Sequence, residues 1–119
     1  MIKQSEHDIQ VRFVKYLDFK KVLYSSTANG IFLKDRKTAH RIMNKMKAEG
    51  LKTGLPDILI FEPRGGFNGL MIELKSKTGK TSDDQKKWIK ALNDRGYKAL
   101  VCKGLDSAIN SLETYLALK

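Results

Sequence analysis

Apolar side chains recur at Ile9, Phe13 and Leu17, four residues apart, behind a serine at position 5 that can cap a helix. The spacing predicts an amphipathic helix ending near Lys20. Val22 to Ser25 reads as a short strand, and Thr27-Ala28-Asn29-Gly30 as a turn or loop. Asp35 is placed to cap a second helix that runs to about Glu49 and stops at Gly50, with Ile42, Met43 and Met46 as its apolar positions. Lys52 to Pro56 breaks the pattern. Asp57 to Phe61 is a strand, wholly apolar after its first residue. Pro63-Arg64-Gly65-Gly66 and Asn68-Gly69 form a hairpin-type connection to the next strand, Leu70 to Lys75.

Ser76 to Lys80 is a basic loop. Ser82 with Gln85 three residues on has the spacing of a capping box and opens a third helix, whose apolar face is Trp88, Ile89 and Leu92 and which Gly96 ends. Tyr97 to Cys102 is the last strand and Leu105 to Leu118 a final amphipathic helix. The order is αβαββαβα, a mixed α/β arrangement with a central sheet flanked by helices. One continuous domain over residues 1–119 is expected, without linker, repeat or low-complexity tract.

Composition narrows the function. Of 119 residues 41% are hydrophobic and 30% charged, as in a globular chain with a core of its own. Runs such as Ile58-Leu59-Ile60-Phe61 are far too short to span a bilayer, and the first six residues hold no apolar signal core, so the expected location is the cytoplasm. A lone Cys102 at the end of an apolar stretch reads as a buried thiol in a reducing compartment. Twenty-three Lys and Arg against 13 Asp and Glu give +10, a balance that suits a polyanion. No helix joins a strong apolar face to a basic one in the way membrane binding needs, so the partner expected is nucleic acid.

Two segments carry candidate chemistry: Gly54-Leu55-Pro56-Asp57 opening one strand and Glu73-Leu74-Lys75 closing the next. Alternation puts Glu73 and Lys75 on one face and turns the Leu74 side chain to the core. If the two strands pair as a hairpin, Asp57 falls beside Glu73. Taken singly, Asp57 fits a turn residue and Glu73 with Lys75 a solvated ion pair. Together they bring two carboxylates and an ammonium to one edge of a sheet, which packing alone does not explain. Hard oxygen ligands suit Mg²⁺, which can polarise a phosphate and lower the pKa of a bound water. A neighbouring lysine can orient that water or stabilise the growing charge.

With Ser82 and Gln85 heading a helix that carries Trp88, these segments resemble the VRR-Nuc branch of the PD-(D/E)XK nucleases, from Glu6 to about Tyr115. The resemblance implies a restriction-endonuclease-like core and a Mg²⁺- or Mn²⁺-dependent DNA endonuclease. It implies Asp57 and Glu73 as metal ligands, with Leu74 between the two motif positions counted in the metal set, and Lys75 as the catalytic lysine. Glu6, matching a family glutamate in the first helix, and Gln85 are implied to line the site. The chain looks like the compact standalone form of phages and bacteria, which implies a bacterial or phage-infected cell. Such forms resemble Holliday junction resolvases, which implies a homodimer acting on branched DNA.

Lys77, Lys80, Lys86 and Lys87, with Lys75, surround the expected site and are placed to track a phosphate backbone. Arg36, Lys37 and Arg41 on the second helix either contact phosphate as well or are simply solvated. Ile42, Met43 and Met46 suit a dimer interface or the monomer's own core. Trp88 reads as core rather than a base-stacking platform, and His7 and His40 lack metal-ligand spacing. No base-reading motif is present, so recognition by shape is expected. Two other functions compete: a non-catalytic nucleic-acid-binding module on the same fold, and an RNA-processing nuclease. Retention of Asp57, Glu73 and Lys75 argues against the first.

Overall fold

The computed structural model describes residues 4–27 and 36–119. Its elements follow the predicted order: α1 (Glu6–Lys20), β1 (Tyr24–Ser26), α2 (Arg36–Ala48), β2 (Ile58–Ile60), β3 (Leu70–Lys75), α3 (Asp83–Asn93), β4 (Lys98–Lys103) and α4 (Leu105–Leu116). The strands form one sheet in the order β1-β2-β3-β4. β1, β2 and β3 pair antiparallel, and β4 runs parallel to β3 after the α3 crossover.

Alternation along β3 divides the sheet into two unlike faces. Leu70, Ile72 and Leu74 join Ile58, Ile60 and Cys102 in the core, beneath Ile9, Phe13 and Leu17 of α1 and Ala108, Leu112 and Tyr115 of α4. All twelve are 0–1% exposed. The Tyr115 hydroxyl satisfies itself by donating to the Glu62 carbonyl at 2.7 Å. Burial pushes the Cys102 thiol up in pKa, as expected of an inert core cysteine.

Met71, Glu73 and Lys75 point to the other face. There α3 packs beside β4, and the Asn93 side chain both accepts from the Ala99 N–H and donates to the Ala99 carbonyl, each at 2.9 Å. A single helix covers this face only in part. Trp88, Ile89 and Leu92, expected in the core, are therefore half-buried and lie outside it.

Some boundaries differ from the sequence reading. The first strand starts at Tyr24 rather than Val22, because α1 ends in a left-handed Lys21 (φ 58°) and the Val22 N–H is spent on the Leu17 carbonyl. Asp57 precedes β2 rather than opening it. The expected cap Asp35 and the turn residues Ala28, Asn29 and Gly30 lie outside the described residues, whereas the Ser5 cap and the Ser82–Gln85 capping box both form.

Helix α2 departs furthest from expectation. It is strongly amphipathic in sequence, yet none of its residues is fully buried, and it makes no extensive contact with any other element. Ile42, Met43 and Met46 stay half-exposed, so the monomer's own core does not use them. Among the described residues no helix is long and apolar enough to cross a membrane.

Candidate active site

The β2–β3 register pairs Ile58 with Ile72, so Asp57, one residue before the strand, falls opposite Glu73. The Asp57 carboxylate completes the ladder where β2 has ended: its Oδ2 accepts the Leu74 N–H at 2.8 Å. One oxygen is thereby anchored, and the carboxylate is held at the mouth of the strand pair.

Glu73 is 2% exposed and Lys75 7%. Glu73 Oε2 lies 3.5 Å from Lys75 Nζ and accepts from Gln85 Nε2 at 3.0 Å. The other oxygen, Oε1, is buried and has no hydrogen-bond partner among the described residues. A bare buried acceptor costs on the order of 1–3 kcal/mol and calls for a partner. Burial first, and the neighbouring Asp57 charge second, push the Glu73 pKa up to about 8, against the opposing pull of Lys75. A positive charge between the two carboxylates would offset both the burial and the repulsion, so the residues present suit a hard divalent cation.

Gln85 reaches this cluster because of its cap. Its Oε1 accepts from the Ser82 N–H at 2.9 Å, while the Ser82 hydroxyl accepts from the Gln85 N–H at 3.2 Å. The reciprocal pair turns the amide's NH₂ end onto Glu73. Glu6 arrives from α1 by a different route. A methyl group on Gly79 would meet Glu6 Oε2 at 2.9 Å, Ser76 Oγ at 3.2 Å and Lys75 Cδ at 3.4 Å, so the Glu6 carboxylate and the Lys75 stem both border Gly79. Among the described residues no three His, Cys, Asp or Glu side chains gather to hold one ion.

The Leu74 side chain is 1% exposed in the core and cannot reach an ion. Only its backbone can belong to a metal set. In a strand the N–H and C=O of one residue point the same way, here toward Asp57.

Lys77, Lys80, Lys86 and Lys87 are exposed, on the loop after Lys75 and the first turns of α3. Lys75 is the exception in that group. Buried against Glu73, it can address the reaction centre but not track a backbone. Arg36, Lys37 and Arg41 are exposed on α2, an element that packs on little else. His7 and His40 are exposed, and neither joins a metal-binding group among the described residues. Two contacts were missed in sequence: the Asp57–Leu74 bond, and a backbone approach of Gly54 to Asp84. The glycine within Gly54-Leu55-Pro56-Asp57 was the available signal for the second.

The VRR-NUC domain model matches residues 4–106. A solved VRR-NUC domain protein superposes with a TM-score of 0.82 at 25% identity, covering 99% of this chain and 93% of its own. A second solved VRR-NUC domain gives 0.63 at 19% identity, covering 92% and 96%, and supports the fold alone. No curated protein matches the chain.

Proposed function

The chain belongs to the VRR-NUC family of nuclease domains, and on that premise we propose that it is a divalent-metal-dependent DNA endonuclease. The observation that carries this reading is the buried Oε1 of Glu73, without a hydrogen-bond partner among the described residues, on a carboxylate that feels the Asp57 charge and pairs with Lys75 through its other oxygen. Asp57, Glu73 and the Leu74 carbonyl would hold Mg²⁺ or Mn²⁺, with water completing a shell that takes few protein carboxylates. When bound, the ion supplies polarisation of the scissile phosphate and a lowered pKa for a water.

The remaining roles fall to side chains. Lys75, held by Glu73 and shielded from solvent, presents an ammonium where charge grows on the phosphate or where a water must be oriented. Gln85 occupies Glu73 Oε2 and so keeps Oε1 for the ion. Glu6, which with Lys75 borders Gly79, would hold a water at the edge of the site. Lys77, Lys80, Lys86 and Lys87 would neutralise phosphates on either side of the cut, and Arg36, Lys37 and Arg41, exposed on α2, would add further phosphate contacts.

We further propose a homodimer acting on branched DNA. Its support is α2, whose Ile42, Met43 and Met46 the monomer leaves half-exposed. A two-fold pair of sites matches the paired cuts that a four-way junction needs. The test is a panel of labelled duplexes, flaps and four-way junctions incubated with Mg²⁺, Mn²⁺ or EDTA. Cleavage with either ion and none in EDTA is expected. Full activity in EDTA rules the reading out.

A further inference from the structure

We propose that Gly54 and Ser82 are positioning residues for the two site carboxylates, acting through the first turn of α3. The proposal rests on the metal-dependent reading above and concerns what holds Asp57 and Glu73 at a fixed separation. The two belong to different strands at the open end of the sheet. Beyond Ile58 the backbone ladder ends, and the Asp57–Leu74 bond, which holds only one carboxylate oxygen, is all that ties Asp57 directly to β3.

The structure closes that gap with a second path. Gly54 has φ +93°, and a Cβ there would lie 2.7 Å from the Asp84 carbonyl carbon, 2.8 Å from its oxygen and 2.9 Å from its Cβ. These are mostly backbone atoms and cannot swing aside. The Thr53 hydroxyl adds a hydrogen bond to Asp84 Oδ2 at 3.2 Å. From Gly54 the chain reaches Asp57 through a buried Pro56, a short segment with little freedom. From Asp84 the next residue is Gln85, whose amide is held at one end by the Ser82 N–H and at the other holds Glu73 Oε2. The path runs from Asp57 through Gly54, Asp84 and Gln85 to Glu73, with Ser82 closing the turn in its middle.

The contact is tight enough to matter. An alanine at position 54 would have to move the loop or the helix by about 0.8 Å to restore ordinary carbon–carbon contact. Site geometry tolerates only about 0.5 Å. The displacement falls on the Asp57 loop or on Gln85, and through either on the space between the carboxylates. Neither Gly54 nor Ser82 needs to touch an ion to have this effect.

The test uses the full chain as Gly54→Ala, Ser82→Ala and Ser82→Thr. Mn²⁺ binding is measured by calorimetry below the melting temperature determined in EDTA, and kcat and KM on DNA are measured alongside. Gly54→Ala should bind Mn²⁺ about tenfold more weakly or worse, the scale of losing a group that orients a ligand. Its kcat should fall while KM for DNA holds. Ser82→Ala should shift both in the same direction, and Ser82→Thr, which can cap equally, should restore them. A role confined to stability would lower the melting temperature and leave the Mn²⁺ affinity of the folded protein unchanged. Wild-type Mn²⁺ affinity in folded Gly54→Ala overturns the proposal, as it does in Ser82→Ala should Gly54→Ala not fold. A wild-type protein that binds no Mn²⁺ overturns the metal-dependent reading as well, so the two failures are distinct.

Discussion

Asp57 Oδ2 accepts a hydrogen bond from the Leu74 backbone N–H at 2.8 Å, so one carboxylate of the proposed metal pair is anchored by the residue that follows the other. A side chain thus stands in for a missing ladder partner, and one oxygen of Asp57 is committed before any ion arrives.

Asp57→Asn separates these two roles. The amide oxygen can still accept from Leu74, so the fold should survive with little change in melting temperature. The charge is lost, and cleavage should be abolished while DNA binding is largely kept. Gel-shift and cleavage assays on the same preparation check this, and undiminished cutting would remove Asp57 from the ligand set.

Lys75→Met tests the ammonium. The cleavage rate should fall roughly a hundredfold or more, the scale of losing one donor that stabilises transition-state charge. The solvated lysine suggested by sequence alone would leave stability unchanged. Here Lys75 is buried against Glu73, so its loss should also cost about 1–3 kcal/mol, the scale of leaving a buried polar group without its partner. Wild-type rates in the variant would make the lysine a bystander.

Glu73 makes a prediction in pH. Its pKa rises from the ordinary 4.5 to about 8 on folding, so between those values the folded state holds a proton that the unfolded chain has released. The stability tied to Glu73 is complete below about pH 4.5 and is lost as pH rises through about 8. Melting temperature in EDTA should decline across that window, and Glu73→Gln should flatten the decline. Mn²⁺ must displace the same proton, so its affinity should climb with pH up to about 8. A pH-independent affinity between 5 and 8 would contradict the assignment.

Helix α2 supplies the test of assembly. Met46→Glu places a charge on the half-exposed apolar face and should convert a dimer to a monomer without unfolding the chain, since that face lies outside the core. Light scattering at micromolar concentration reads the mass directly. A wild-type monomer would end the dimer proposal. On the other face, Arg41→Ala should reduce the salt dependence of DNA binding by about one counterion per protomer if Arg41 meets a phosphate.

Local periodicity and capping chemistry were enough to place every element. The four-residue spacing of Ile9, Phe13 and Leu17, the Ser5 cap and the Ser82–Gln85 box are short-range signals, and each appears in the folded chain where the residues put it. Alternation along Leu70–Lys75 also told which side chains enter the core and which leave it. Packing could not be read this way. The half-burial of Trp88 follows from one helix covering one face, and the idle apolar side of α2 from the lack of any extensive packing against it among the described residues. The Asp57–Leu74 bond depends on where β2 stops. The Gly54–Asp84 approach joins residues thirty positions apart. Pattern along a chain reports what each residue would bury. Only the assembled sheet and helices decide what is near enough to bury it, and which carboxylate oxygen is left without a partner.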